Sequence, residues 1–240
     1  MSPILFISDL HLNADEPDTV ARFRRFCRET APAAQALYIL GDFFEYWAGD
    51  DDLDEAFNSS IVDELRRLSE RIPQLCLLHG NRDFLLGDAF ARATGITLLP
   101  DPFRLEIFGR PTILTHGDAL CTDDAAYQQF RAMVRDPQWQ ARFLAQPLSV
   151  RKAIAEDMRR KSETSKQQKS ASIMDVNPLA VADLFRLFPD AHDMIHGHTQ
   201  RPACHTLDVD GYECRRWVLQ DWYQERAGGL CVEPARWQVI

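Results

Sequence analysis

Nowhere in the 240 residues is there a run approaching the roughly 20 apolar residues that a membrane-spanning helix needs. The chain is therefore expected to be soluble, or at most peripheral to a membrane. Residues 1–7 lead straight into Asp9 without a basic stretch, a long apolar core or a small-residue cleavage site, so no secretory signal is expected. No C-x-x-C pair occurs among the six cysteines, Cys27, Cys76, Cys121, Cys204, Cys214 and Cys231. Scattered in this way they read as reduced thiols of a cytosolic protein, not as a disulfide framework. Positive charge is in short supply: 27 Lys and Arg face 36 Asp and Glu, a net charge of −9. A non-specific nucleic-acid binder must neutralise phosphates, so nucleic acid is not an expected partner. A phosphate-cradling Gly-rich loop, a dinucleotide fingerprint and a nucleophile elbow are all missing, as are internal repeats.

What remains is an ordinary globular composition, 45% hydrophobic and 26% charged, in a single domain spanning 1–240. Apolar runs at 3–7, 36–40 and 75–78 predict buried strands. Between them, 19–30 and 53–72 carry apolar residues at helical spacing, Phe57, Ile61, Leu65 and Leu68 in the second. Strands alternating with helices predict an α/β fold. A hairpin is expected over 103–108 and 112–115, a strand at 193–195, and a second hairpin over 203–209 and 212–219 around Asp210-Gly211. The segment 123–172 is polar and helix-rich and reads as an insertion.

Each predicted strand ends in residues suited to a metal. They are Asp9-Leu10-His11, Gly41-Asp42, Gly80-Asn81, His116-Gly117-Asp118 and His196-Gly197-His198. In open α/β sheets ligands collect at the carboxyl ends of strands. Asp9, His11, Asp42, Asn81, His116, His196 and His198 are thus expected to converge. Oxygen and imidazole donors without thiolate suit Mn²⁺, Fe²⁺, Zn²⁺ or Mg²⁺. They are too many for one ion and suit two ions if one carboxylate bridges.

This ordered series resembles the calcineurin-like metallophosphoesterase superfamily. More narrowly, Ser8-Asp9-Leu10-His11-Leu12, Leu40-Gly41-Asp42-Phe43-Phe44-Glu45, His79-Gly80-Asn81-Arg82-Asp83-Phe84-Leu85, His116-Gly117-Asp118 and Ile195-His196-Gly197-His198-Thr199 resemble the UDP-2,3-diacylglucosamine pyrophosphatases of lipid A synthesis. The resemblance implies a four-layer αββα sandwich, a helical lid at 123–172, and two Mn²⁺ ions as cofactor. It implies one ion on Asp9, His11, Asp42 and His198, and a second on Asp42, Asn81, His116 and His196. It also implies water attack on the uridyl-side phosphorus of a UDP-linked diacylated glucosamine lipid, with Asn81, Arg82 and His116 as catalytic residues. Substrate contacts are implied for Asn81, Arg82, Asp124, Ser162, Lys166, Lys169 and His196. The protein would then be cytoplasmic and peripheral on the inner membrane, with no obligate protein partner. The rival readings are another dimetal phosphodiesterase or phosphatase of this fold, and a metal-free scaffold for protein contacts.

Arg82 bears on that choice. Many relatives of the superfamily carry a His after the Asn, where it can protonate an alkoxide leaving group; an Arg cannot give up a proton near neutral pH. A phosphate leaving group needs little protonation, and an Arg can stabilise charge developing on a pyrophosphate. A phosphoanhydride substrate is favoured on this ground.

Within the insertion, 151–169 holds seven basic residues against three acidic ones, where substrate phosphates are expected to arrive. Phe130, Met133, Val134, Trp139, Phe143, Leu144 and Leu148 either line an acyl-chain groove or form the insertion's own small core. His79 is expected in a supporting role, and His192 and His205 outside the metal set. Asp50-Asp51-Asp52 reads as a solvated helix cap in preference to a calcium site.

Overall fold

The apolar strands alternate their side chains between two buried faces, and this alternation builds the molecule. The computed structural model describes residues 2–168, 175–223 and 226–240, with the backbone alone for 161–168. The N-terminal strand β1 (Ile4–Ile7) pairs in parallel with β2 (Ala36–Leu40), and β2 with β3 (Gln74–Leu78). Leu5, Ile7, Leu37, Ile39, Leu75 and Leu77 face one core, while Ile4, Phe6, Tyr38, Leu40, Cys76 and Leu78 face another. Strands buried on both sides read as unbroken hydrophobic runs, which is why the sequence shows no polar alternation here.

The first core is closed by helices α1 (Pro17–Glu29), α2 (Ala56–Ser69) and α3 (Asp88–Thr94), which contribute Phe23, Leu65 and Phe90 among others. A short parallel strand β4 (Thr97–Leu99) extends β3. The second core lies between this sheet and another made of β5 (Phe103–Ile107), β6 (Arg110–Thr115), β7 (Asp193–His196), β8 (Ala203–Val209) and β9 (Tyr212–Val218), in the order β5-β6-β7-β9-β8. Leu114 and Ile195 point into it, while Ile113 and Met194 point to a third core closed by α7 (Pro178–Leu187). Helix, sheet, sheet and helix thus stack in the four layers of an αββα sandwich.

Sequence reading missed α3, β4 and a C-terminal hairpin, β10 (Leu230–Glu233) and β11 (Arg236–Val239). The hairpin completes the first sheet because β10 pairs antiparallel with β1. Helix α2 begins later than its periodicity suggests. Its N-cap is Glu55, whose carboxylate accepts from the amides of Phe57 at 2.9 Å and Asn58 at 3.1 Å.

The segment 123–172 carries α4 (Ala125–Arg135), α5 (Pro137–Leu144) and α6 (Leu148–Gln168). Asp50-Asp51-Asp52 is not a solvated cap. Asp50 accepts from Trp47 Nε1 at 3.0 Å and from the amides of Gly87 and Phe90 at 3.0 and 2.9 Å. Asp51 pairs with Arg151 and Asp52 with Lys152 Nζ at 2.7 Å. Arg151, buried at 1% exposure, also donates to the carbonyls of Ala48 and Gln146. Two of the basic residues expected to meet substrate phosphates therefore dock α6 on this acidic turn.

Candidate metal centre and substrate cavity

The carboxyl ends of β1, β2 and β3 in one sheet and of β6 and β7 in the other open at the same edge of the sandwich. Past the strands the loops stay in step: Asp9 N donates to Gly41 O at 3.1 Å and His11 N to Asp42 O at 2.9 Å. Asp9, His11, Asp42 and His198 all adopt positive φ, between 50° and 63°. Non-glycine residues in that region are strained, and such strain concentrates at functional sites. Gly80 and Gly197 allow the close approach: a Cβ on Gly80 would lie 2.2 Å from Asp42 Oδ1, and one on Gly197 2.3 Å from Asp9 Oδ2.

Two groups of donor atoms result, each within 4.8 Å: Asp9, His11 and Asp42, and Asp42, His116 and His198. Asp42 is common to both, which is the position of a bridging carboxylate. His198 joins His116 by side chain, while its backbone N donates to Asp9 Oδ2 at 2.9 Å. Asn81 Oδ1 lies 3.2 Å from His116 Nε2. His196 stands outside both groups, its Nδ1 against Gly197 O at 2.8 Å and its Nε2 against Arg216 Nη1 at 2.9 Å.

Whether these residues suit a cation is decided by their unspent atoms. Asp9 Oδ2 is satisfied by Ser8 Oγ at 2.6 Å, yet the buried Asp9 Oδ1 has no hydrogen-bond partner among the described residues. An unpaired buried carboxylate oxygen beside imidazoles is costly unless a cation covers it. Burial alone would lower the His116 pKa, but the carboxylates of Asp42, Asp118 and Asp9 outweigh it and raise it to about 9. Burial and a neighbouring cationic group lower His196 to about 3 and His198 to about 4, so both present neutral rings. The set fits divalent cations.

Supporting residues hold the donors in place. His116 Nδ1 is hydrogen-bonded to Leu40 O at 2.8 Å, which turns Nε2 to the site. Glu45, which closes the Leu40–Glu45 motif but was given no role by sequence reading, lies 3.0 Å from His11 Nδ1. Its carboxylate is also 3.8 Å from Arg82 Nη1 and 3.7 Å from Arg159 Nε. Buried Asp83 accepts from Phe43 N at 2.7 Å and Gly80 N at 2.9 Å, tying the Asp42 loop to the Asn81 loop. Below it Phe23, Phe43, Phe44 and Trp47 pack with ring centroids 4.8–5.1 Å apart. His79 is bonded to Leu86 O at 2.8 Å, a supporting contact as expected, while His192 and His205 are exposed and remote from both groups.

A cavity of about 480 Å³ opens beside the donors. Its polar end holds Asn81, Arg82, Asp124 and His198, and its apolar end Phe84, Phe130, Trp139, Phe143 and Met158. Trp139 stacks on Phe143 with centroids 5.0 Å apart, and both pack against the first core. Phe130, Trp139 and Phe143 thus line a cavity, and Trp139 and Phe143 belong at the same time to the packed core. Met133 and Leu144 point to solvent and Val134 is buried away from the cavity. Asp124 caps α4, accepting from Tyr127 N at 3.1 Å. Helix α4 is anchored to the site itself. Tyr127 Oη and Arg131 Nε each donate to Asp118 Oδ2 at 2.8 Å, and Arg135 Nη2 donates to Gly80 O at 2.8 Å. Ser162, Lys166 and Lys169 lie outside the residues whose side chains are described.

The sequence profile of the calcineurin-like phosphoesterases matches residues 2–239. The chain belongs to that family. Among its calcineurin-like relatives, the UDP-2,3-diacylglucosamine hydrolase of Aromatoleum aromaticum is 51% identical over 92% of this chain and 89% of its own length. The enzyme of the same name from Stenotrophomonas maltophilia is 46% identical over 98% and 96%, and that of Pseudomonas aeruginosa 48% identical over 91% and 90%. As a metallophosphoesterase, the chain is a hydrolase with a site for divalent metal.

Proposed function

We propose that the chain hydrolyses the pyrophosphate bond of UDP-2,3-diacylglucosamine, releasing UMP and 2,3-diacylglucosamine 1-phosphate. The observation that carries the reading is the cavity, in which a metal-type donor set and an aromatic, apolar chamber share one wall at Asn81, Arg82 and His198. A phosphatase for soluble esters has no use for that chamber, whereas acyl chains gain about 0.8 kcal/mol for each CH₂ they bury. Relatives at about half identity that carry this activity in their name support the same substrate.

One ion would be held by Asp9, His11, Asp42 and His198 and the other by Asp42, Asn81, His116 and His196. We assign two Mn²⁺ ions. When bound, such a pair lowers the pKa of a shared water and neutralises charge on the phosphoryl oxygens. The chain's own residues then set orientation. Asp42 spans both positions, and Asn81 presents its amide between His116 and the phosphate. Arg82, a permanent cation at 11% side-chain exposure, faces the cavity and offers its N–H groups to the pyrophosphate as negative charge builds on the leaving phosphate. The new P–O bond forms at the uridyl-side phosphorus and the bond to the lipid phosphate breaks.

Segment 123–172 acts as a lid over the acyl chains, with Asp124, Ser162, Lys166 and Lys169 at the head group. No helix among the described residues is long and apolar enough to cross a membrane. We infer a cytoplasmic protein that meets its substrate at the inner membrane surface, its exposed Met133, Leu144 and Val150 lying on the lid. The test is Mn²⁺-dependent release of UMP from the diacyl substrate by wild type, Asn81→Ala and Arg82→Ala, with metal content measured on each. Asn81→Ala is expected to lose metal and activity together, and Arg82→Ala to keep metal and lose rate. Hydrolysis in heavy-oxygen water should place the label in UMP; label in the lipid phosphate overturns the direction of attack.

A further inference from the structure

The cavity described above accounts for the acyl sugar and leaves the nucleotide half of the substrate without a place. On the outer face of the second sheet, beside His196, lies a second recess of about 270 Å³. Thr199 and Arg201 line both spaces, so the recess adjoins the cavity, and Arg216 in its lining reaches His196. Strand register builds its floor: His205 on β8 stands opposite Arg216 on β9, and Ala203 opposite Val218.

Two polar groups there have spare capacity. The Thr199 hydroxyl is buried without a hydrogen-bond partner among the described residues. Arg216 is half-buried, with a side-chain hydrogen bond to His196 Nε2 at 2.9 Å. That nitrogen is also the atom His196 would turn to a cation, since its Nδ1 is held by Gly197 O at 2.8 Å. A cation on His196 would leave the guanidinium with donors to spare, directed at whatever anion sits between the recess and the donors. Asp175 on the rim is paired with Arg201 at 2.9 Å, so it does not stand as a bare carboxylate against an incoming anion.

We propose that this recess, bounded by Thr199, Arg201, His205 and Arg216, is the nucleoside-monophosphate subsite: it takes the uridylate half of the substrate, phosphate against Arg216 and ribose and base toward His205. The inference rests on the pyrophosphatase reading and extends it. A bipartite substrate is then gripped on both sides of the scissile bond, with acyl chains in the aromatic chamber and the nucleotide in the basic recess. UMP, the product retained by this half, binds here.

Calorimetric titration of the Mn²⁺-loaded protein with UMP, with inorganic phosphate and with the diacylglucosamine 1-phosphate product tests it. Arg216→Ala removes a charge-assisted hydrogen bond and should weaken UMP by about tenfold or more. Binding of the lipid product and metal content should be unchanged. Thr199→Val is near-isosteric and should weaken UMP in the same direction, which keeps the test decisive if Arg216→Ala fails to fold. UMP affinity equal to wild type in both variants overturns the subsite, as does equal loss for UMP and lipid product. Inorganic phosphate binding as tightly as UMP overturns the nucleoside assignment. Wild-type turnover of the diacyl substrate is measured in parallel: no turnover sinks the pyrophosphatase reading, whereas turnover with UMP binding indifferent to Arg216 sinks the recess alone.

Discussion

Replacing Glu45 tests whether the donor set is held by its supporting residues or stands by itself. Glu45 Oε2 is 3.0 Å from His11 Nδ1, a contact that fixes the ring with its Nε2 facing Asp9 and Asp42, 3.9 and 3.8 Å away. Burial opposes the charge on Glu45, but its contact with His11 and the charges of His11 and Arg82 hold its pKa below the ordinary value. The carboxylate is therefore ionised across the neutral range and the contact is electrostatic. Losing such a contact costs about 1.5–3 kcal/mol, which converts to roughly 10–150-fold in a binding constant. At 12% side-chain exposure, solvent screening removes little of it. Glu45→Gln keeps the shape and an acceptor but loses the charge, and is expected at the lower end of that range. Glu45→Ala frees the ring and is expected at the upper end. The measurement is chelator-buffered Mn²⁺ titration of each variant, with thermal unfolding of the metal-free protein as the control on fold. Arg159→Ala separates loss of the His11 contact from release of α6, because Arg159 touches the same carboxylate. If Glu45→Ala binds Mn²⁺ as tightly as wild type, His11 does not depend on Glu45 and the account of the site is wrong.

Asp83→Ala leaves the buried amides of Phe43 and Gly80 unpaired. It should cost about 2–5 kcal/mol in denaturant unfolding, with an unchanged midpoint counting against the clamp. Trp139→Ala removes one wall of the aromatic chamber and should raise KM for the diacyl substrate by about tenfold. It should leave the rate with a deacylated analogue unchanged, and equal effects on both would remove the acyl assignment. Arg151→Met breaks the docking of α6 on the acidic turn and should increase hydrogen exchange in α6 without altering exchange in β1–β3. Its hydrogen bond and charge depress the folded pKa of Asp51, so the pair's contribution is present above the unfolded carboxylate value of about 3.9 and is lost as pH falls through the folded value. Arg151→Met should therefore flatten the acid limb of the stability profile, and an unaltered limb shows that the pair does not carry it.

The strands could be read from the chain because buried parallel strands appear as short apolar runs, and those of 4–7, 36–40 and 75–78 are unbroken. The donors could be read because each sits immediately after such a run, where the backbone leaves the sheet. Short elements escaped, since β4 spans three residues and α3 fewer than two full turns, too little for a period to register. The role of Glu45 escaped for another reason: its motif marked the position but not the partner, and it meets His11 only because the loops after β1 and β2 run side by side. Arg151 and Lys152 were legible as positive charge but not as a docking device, because their partners Asp51 and Asp52 lie a hundred residues away along the chain.

Sequence by itself determined the α/β class, the ordered series of polar residues at the strand ends and the net negative charge. Those properties are local, set by the period of apolar residues and the chemistry at strand ends. Tertiary structure alone decided how the donors are shared, with Asp42 common to both groups and Asp9 Oδ1 left for a cation. It also decided which aromatics face a cavity and where the insertion's positive charge goes. Such matters depend on which segments meet in space, and a chain read one window at a time cannot carry that information.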